Sequence, residues 1–442
     1  VIQPVLPDLT RYQRVVSGLK TLRLAGRVVQ VVGLTIEATG LDCQIGEVCE
    51  IRAATAPPLQ AEVVGFRDQR TLLMPLGDMQ GVQPGSQIFP SRSVFRAPVG
   101  MSLLGRVLDG LGQPLDDLGP LEGVRYVPTD NSAPHPLTRK PISEPLTTGV
   151  RAIDGLLTCG KGQRMGIFAG SGVGKSTLMG SIARSSHTDV SVIALVGERG
   201  RELQEFIQRD LGEEGLKRSV VVVSTSDQPA LVRLKAAYVA TTIAEYFRDQ
   251  GMDVTFLMDS VTRFAMAQRE VGLAVGEPPA SKGYTPSVFA LLPRLLERTG
   301  TSQKGTITGF YTVLVEGDDF NEPICDAVRG ILDGHIVLSR ALAARNHYPA
   351  IDVLNSVSRV MPAVTSSDHR SDAALARRLL AAYEKARDLI NIGAYVEGSD
   401  PEIDAALAAL PGLNAFLQQG QNEVSTFEET RQTLQRIFTA EN

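Results

Sequence analysis

The stretch Gly166–Leu178, GIFAGSGVGKSTL, restricts the fold of this chain more than any other. Met165, Ile167 and Phe168 read as a strand, the following residues as a glycine-rich turn, and Lys175-Ser176-Thr177-Leu178 as the start of a helix. Strand, glycine loop and Gly-Lys-Ser in that order form a phosphate-binding P-loop over Ala169, Gly170, Ser171, Gly172, Val173, Gly174, Lys175, Ser176 and Thr177. Glycine at 170, 172 and 174 lets the backbone take positive φ and approach a phosphate with no Cβ in the way. The N–H groups so exposed, together with the helix N-terminus, face the anion. Lys175 is placed to reach the β- and γ-phosphates, and Ser176 to ligand Mg²⁺ through its hydroxyl. Ala169 stands where the strict pattern has its first glycine, a methyl group that a strand end tolerates. The alternative is a glycine- and serine-rich turn with a chance lysine, and the ordered strand, loop and helix argue against it. A chain with this loop is expected to bind a nucleoside triphosphate.

The rest of the sequence reads as apparatus around that loop. Its 442 residues exceed one core and suggest about three domains. Residues 1–24 form an N-terminal segment with a weakly helical pattern (Leu9, Tyr12, Val15, Val16, Leu19), either a packing arm or a partner-binding helix. Over 25–95 the texture changes to short β-type runs: Arg27–Ile36, Glu47–Arg52, Ala61–Phe66, Thr71–Pro75 and Ser86–Phe89. Glycines punctuate them, and such spacing predicts a small closed all-β module. A Pro- and Gly-rich stretch, 98–149, reads as an ordered strap into an α/β domain that extends over 96–370. Within it, Arg164–Phe168, Val190–Val196, Ser219–Ser224, Asp253–Met258 and Thr306–Val315 read as strands. Helices are expected at Lys175–Ser186, at Arg201–Leu211 closed by Gly212, and at Pro229–Gln250. Apolar strands alternating with helices predict a mostly parallel sheet covered on both faces, with the ligand at the carboxyl ends of the strands. The tail, 371–442, is helical: Leu375, Leu379, Tyr383, Ala386 and Ile390 form one stripe, Asp400-Pro401 starts a second helix, and Ser425–Glu428 reads as the capping box of a third.

Composition excludes several classes. With 43% hydrophobic and 21% charged residues and a mean hydropathy near zero, the chain is of ordinary globular type. A net charge of −5 gives no global basic field to draw it to nucleic acid or an anionic membrane. No apolar run approaches the roughly 18 residues of a membrane span. The first residues lack a charged region followed by an apolar core, so no secretory leader is expected. Cys43, Cys49, Cys159 and Cys325 are scattered, without CxxC spacing or companion histidines, and read as free thiols in a reducing compartment.

Hydrolysis of a triphosphate needs Mg²⁺, a positioned water and positive charge on the developing oxyanions. Val254–Asp259 is an apolar strand ending in a carboxylate, which suits Asp259 as a metal ligand beside a P-loop, although strands also end in Asp as a helix cap. Glu198 leaves the run Val190–Val196, read here as the strand next to the P-loop strand, and is suited to polarise the attacking water. Arg199 follows it as a γ-phosphate contact; a solvated charge cluster is the other reading of the pair. Arg359, in NSVSRV, comes after the last sheet segment, either as a surface or intradomain arginine or as a finger offered to a neighbour's site. Tyr348, in His-Tyr-Pro, suits base stacking or an ordinary core position.

Taken together, AGSGVGKST, VGERGRE, FLMDSVTRFAMAQRE, GEPPASKGYTPSVFALLPRLLERTG, VEGDDFNEP, ILDGHIVLSR, NHYPAIDVLNSVSRV and LLGRVLDGLGQPLD resemble the ATPase of type III protein export. Its flagellar and virulence-injectisome branches are related to the catalytic β subunit of rotary ATP synthases, and the flagellar branch is favoured here. The resemblance spans about residues 25–442. It implies a homo-hexamer with shared sites, a RecA-like central domain, an N-terminal β-barrel and a C-terminal helical domain, with ATP and Mg²⁺ as ligands. It further implies Glu198 as the catalytic carboxylate, Arg359 as a finger in trans, Tyr348 as adenine packing, and Arg199 and Arg263 as phosphate-side arginines. Its cellular implications are a cytoplasmic ring, peripheral at the inner-membrane export gate. There it meets regulator and stalk proteins, releases chaperones from export substrates and unfolds the cargo.

Other readings remain at this stage. A rotary synthase subunit is disfavoured by the export-type segments at Gly276–Lys282 and Val315–Pro323, and a non-hydrolysing ring subunit by the presence of Glu198. A nucleic-acid translocase needs aromatic platforms in the β module, and 25–92 holds just Phe66 and Phe89.

Overall fold

The computed structural model describes residues 25–53, 56–315, 317 and 319–439, so the helical pattern read at 1–22 lies outside the described residues. The chain divides after Phe95 into two compact units. In the first, β1 (Gly26–Val32), β2 (Thr35–Thr39), β3 (Glu47–Arg52), β4 (Leu59–Arg67), β5 (Arg70–Pro75) and β6 (Gln87–Val94) close into an antiparallel barrel of order β1-β2-β5-β4-β3-β6. The single run expected at Arg27–Ile36 is two strands. Gly33, at φ 57°, turns the chain so that Val32 pairs with Thr35, a conformation that costs a side chain dearly and glycine little. Alternate residues Ile36, Ala38, Cys49, Ile51, Ala61, Val63 and Leu73 point inward and fill the barrel.

The second unit begins with the strap, which is more than a connector. It supplies β7 (Arg96–Val99), β8 (Val107–Asp109), β9 (Arg125–Pro128) and β10 (Pro145–Leu146). Strand and helix then alternate through α1 (Arg151–Leu156), β11 (Cys159–Gly160), β12 (Arg164–Ala169), α2 (Lys175–Ser185), β13 (Val190–Glu198), α3 (Gly200–Glu205), α4 (Gly212–Lys217), β14 (Ser219–Thr225) and α5 (Ala230–Asp249). They continue as β15 (Asp253–Asp259), α6 (Val261–Val275), α7 (Pro286–Leu296), β16 (Gly300–Thr301), β17 (Thr306–Leu314), α8 (Pro323–Ile331), β18 (Gly334–Leu338), α9 (Arg340–Ala344) and β19 (Ile351–Ser358). The main path of the sheet is β19-β18-β12-β17-β15-β13-β14-β8, parallel except for the edge strand β19, with the short β16 antiparallel on β17. Strands from β12 to β15 are buried on both faces, which is why they read as unbroken apolar runs. Gly212 closes the helix at Leu211 as expected, although the last turn is π-helical and a further helix follows at once. At φ 69° it breaks the direction between a π-helical turn, Phe206–Leu211, and α4.

The last helices are α10 (Met361–Val364), α11 (Ser367–Asn391), α12 (Pro401–Leu417) and α13 (Phe427–Thr439). They join the core of the sheet unit rather than forming one of their own. Ala376, Leu379, Ala406, Leu413, Phe416 and Leu434 pack with Ile153 and Leu156 of α1, and Gly155 admits the Phe416 ring where a Cβ would lie 2.6 Å from its Cζ. Asp400 caps α12, accepting from the N–H of Glu402 at 2.9 Å, with Pro401 in the first turn. The capping box of α13 is shifted one residue from the expected Ser425–Glu428. Thr426 Oγ1 accepts from Glu429 N–H (3.2 Å) and Glu429 Oε2 from Thr426 N–H (2.8 Å), while Ser425 N–H is spent on Gly149 C=O.

Candidate active site

The P-loop leaves the carboxyl end of β12. Gly172 (φ 78°) and Gly174 (φ 89°) take the left-handed conformation expected of them, and Gly174 caps α2. Gly170 does not. Its requirement is close approach, because a Cβ there would lie 2.8 Å from Nε and Nη2 of Arg340. Val173 is buried in the core beneath the loop.

Two strands, β17 and β15, intervene between β12 and β13, so Glu198 does not leave the strand next to the P-loop strand as expected. The Lys175 side chain closes that gap. Its Nζ lies 2.6 Å from Asp259 Oδ1 and 3.6 Å from Glu198 Oε1. From the intervening strand, the Thr312 hydroxyl donates to the same Asp259 oxygen at 2.6 Å. Burial works against the Lys175 charge, and the pull of Asp259 and then Glu198 outweighs it, so its pKa is raised. Burial also pushes the Glu198 carboxyl well above the ordinary carboxylate range. The Asp259 charge adds to that push, and Lys175 opposes it.

Lys175 and Glu198 line a cavity of about 540 Å³ with Gly170–Gly172, Gly174, Ser176, Thr177, Arg199, Arg209, Arg263 and Arg340, and Asp259 lies behind Lys175. Arg263 sits in the first turn of α6, whose cap Ser260 Oγ accepts from the Arg263 N–H. Its side chain packs on Gly197, where a Cβ would lie 2.8 Å from Arg263 Cβ. Arg263 Nε and Glu198 Oε1 are buried without a hydrogen-bond partner among the described residues. Arg199 is a rim residue, its side chain 80% exposed and 3.5 Å from Glu202.

A second cavity, about 390 Å³, adjoins the first across Gly172, Gly174 and Thr177. Its walls are Val150, Leu178, Tyr348, Pro349 and the segment Gln419–Glu423 between α12 and α13. A Cβ on Gly174 would sit 3.5 Å from Tyr348 Cε1, so the ring stands directly beside the phosphate loop. Tyr348 is 41% exposed, which sets aside the core reading. Its C=O accepts from Gln419 N–H at 2.9 Å.

Arg359 lies in neither cavity. Leu338 of β18 pairs with Ala169 at the P-loop end and Gly334 with Met165 at the far end; antiparallel β19 runs from Ile351 beside Leu338 to Ser358 beside Gly334. Arg359 thus lies past the opposite, amino-terminal end of the parallel strands, roughly 15 Å from the chain's own P-loop. There it is exposed, and its Nη1 donates to Leu332 C=O at 3.4 Å.

Arg340 and the Gln419–Glu423 segment were not singled out from sequence. Arg340 does carry a signal, since like Asp259 and Glu198 it is a charged residue at the exit of an apolar strand. The Gln419–Glu423 segment carries none, because its role comes only from where α12 ends.

A family model described as ATP synthase alpha/beta family, nucleotide-binding domain, matches residues 149–358. The beta-barrel domain of the same family matches 28–90, and a T3SS EscN ATPase C-terminal domain matches 365–436. The chain is 58% identical to the flagellum-specific ATP synthase of Bacillus subtilis over 92% of its own length and 93% of that protein's. It is 51% identical to the type 3 secretion system ATPase of Xanthomonas euvesicatoria, over 97% of both. Among solved structures it is similar to the assembled ATPase EscN of the enteropathogenic E. coli type III secretion system, with a TM-score of 0.89 and 46% identity over 93% of this chain and 99% of that one. The same ATPase in complex with its central stalk EscO gives a TM-score of 0.87 at the same identity and coverage.

Proposed function

This chain belongs to the ATP synthase alpha/beta family, in the branch of the type III export ATPases, and on that premise we propose that it hydrolyses Mg²⁺·ATP in a homo-hexameric ring that energises protein export. Identities of 58% and 54% to two flagellum-specific relatives, against 51% to a type 3 secretion system ATPase, support the flagellar system over the injectisome. The ring releases chaperones from export substrates and unfolds the cargo. It works in the cytoplasm, peripheral at the inner-membrane export gate, with a regulator and a stalk protein as partners and no role for nucleic acid.

In this reading the P-loop and Lys175 hold the β- and γ-phosphates, and Tyr348 stacks on adenine. Glu198 positions and polarises the attacking water. Buried next to Asp259 and Lys175, it is a carboxyl whose basicity is raised toward that task. Arg263, with an unspent buried Nε, and Arg199, at the rim, supply positive charge to the phosphates. The donors fit Mg²⁺: the Ser176 hydroxyl and the Asp259 carboxylate are hard oxygens, and Asp259 already faces a cation, the Lys175 ammonium, at 2.6 Å. When bound, Mg²⁺ neutralises charge on the β- and γ-oxygens.

The observation that carries the proposal is the separation of Lys175, Asp259 and Glu198 from Arg359 by the length of the sheet. An arginine exposed at the opposite end serves a neighbouring subunit's site, which makes each cavity half of a shared one. Steady-state hydrolysis across protein concentration tests this in the native chain, Glu198→Gln and Arg359→Ala, singly and mixed. Activity per subunit is expected to rise with concentration, fall in each variant and recover in part on mixing. Activity that is flat with concentration and indifferent to Arg359 would falsify the shared site, and survival of Glu198→Gln would remove the catalytic assignment.

A further inference from the structure

One wall of the base cavity is the segment Gln419–Glu423; Arg184 Nη2 donates to its Gln421 C=O at 2.9 Å, and Arg151 makes the largest set of contacts to it and to the end of α12. Arg151 opens α1 with its side chain 13% exposed. Its backbone N–H donates to Gln419 Oε1 at 2.8 Å. Its guanidinium donates to the C=O groups of Phe416 (3.0 Å) and Gln418 (2.6 Å) and pairs with the Glu423 carboxylate. The Phe416 and Gln418 carbonyls belong to the end of α12, where no further helical N–H exists to satisfy them and the helix dipole favours a cation. Gln419 in turn spends its amide on Gly149 C=O and Glu423 C=O, both at 2.7 Å. The segment 418–423 is therefore folded around Arg151, while its outer face forms the cavity wall that confronts Tyr348. Val150, the neighbour of Arg151, lines the same cavity.

We propose that Arg151 is a positioning residue for the base: it holds the Gln418–Glu423 wall at a fixed distance from Tyr348. Grip on the base then depends on Arg151, and grip on the phosphates does not. The proposal rests on reading the Tyr348 cavity as the base site. A purely structural helix cap would affect both ligand halves alike, since loosening the core beneath α1 would disturb the nearby P-loop helix as well. The planar guanidinium matters because it reaches two carbonyls and a carboxylate at once, a geometry that lysine's single ammonium reproduces only in part.

The test titrates Mg²⁺·ATP and Mg²⁺·tripolyphosphate into the full chain carrying Glu198→Gln, so that nothing turns over, with Arg151→Ala, Arg151→Lys or Tyr348→Ala added. Arg151→Ala is expected to raise the ATP Kd by about tenfold and leave the tripolyphosphate Kd within about twofold; Arg151→Lys recovers part of the loss. Without Glu198→Gln, the same substitution raises KM and spares kcat. If Arg151→Ala does not fold, Glu423→Gln, which removes one charge and leaves the carbonyl contacts, carries the same selective loss in smaller degree. Equal weakening of both ligands, or of neither, overturns the proposal. Tyr348→Ala separates the two claims: if it weakens ATP selectively while the Arg151 variants do not, the base site stands and Arg151's role falls. If it has no selective effect, the base site falls and the inference with it.

Discussion

The cavity around Lys175 and the cavity around Tyr348 share the glycines of one loop, yet they differ in nearly everything else. In the first, charge is concentrated and paired: an ammonium between two carboxylates, a hydroxyl on one of them, and four arginines on the walls. Lys175 opens a helix, and Asp259 and Glu198 end strands, so the sheet fixes these three. In the second, a ring and a prolyl residue face a segment whose polar groups are spent on other parts of the protein, Gln419 on Gly149 and Gln421 on Arg184 and Asp210. The first is equipped to act on a charge that develops during reaction; the second offers shape and stacking. Rate should therefore be lost through one and affinity through the other.

The largest expected effect strikes the charged half. Glu198→Gln keeps the shape and removes the base, and kcat is expected to fall by about 10²–10⁴ with KM little changed; a fall confined to KM would erase the distinction between the halves. Next comes pH. Because burial beside Asp259 raises the Glu198 pKa, the base is lost as pH falls through that raised value. The acid limb of kcat/KM should thus lie well above the ordinary carboxylate range, dropping about tenfold per pH unit below it. A profile that stays flat down to pH 5 would contradict this. Tyr348→Ala is a test of the other half: loss of stacking should raise KM about tenfold, as base–aromatic contacts are worth about 1–3 kcal/mol, with kcat kept. The smallest effect belongs to the first glycine of the loop. Gly170→Ala has no positive φ to strain and only the far end of the Arg340 side chain to displace, so kcat/KM should change less than about threefold. A loss as large as that of Glu198→Gln would mean that Arg340 takes part in the chemistry.

The same contrast governs what the sequence disclosed. The P-loop, Asp259 and Glu198 each follow an apolar run by a residue or two, so local spacing is enough to find them. Sheet order is not local. Nothing in Val190–Val196 says that two strands of later sequence slot between it and β12, and Lys175 bridges a gap that spacing cannot display. Val107–Asp109 was hidden for a related reason: three residues are too short for a period, and β14 makes them a strand. Where two registers are equally good on paper, as with Ser425–Glu428 and Thr426–Glu429, a tertiary bond decides, here Ser425 N–H to Gly149 C=O. The wall Gln419–Glu423 has no motif because its function lies in a position held by Arg151, more than 260 residues earlier. The barrel and the helical tail were readable from turn residues and stripes, apart from the turn at Gly33, which apolar neighbours on both sides concealed.

The distance in sequence between Thr177 and Glu423 also has a consequence for synthesis. About 250 residues separate the phosphate loop from the last wall of the base cavity. At ribosomal speeds of roughly 5–20 residues per second, the loop waits on the order of ten to fifty seconds for its partner to be made. During that interval a nascent chain can hold phosphates without a closed seat for the base. Full nucleotide affinity is thus reserved for a chain that is almost finished, and the ligand's stabilisation by mass action reaches its full extent only in molecules whose C-terminal helices have already docked.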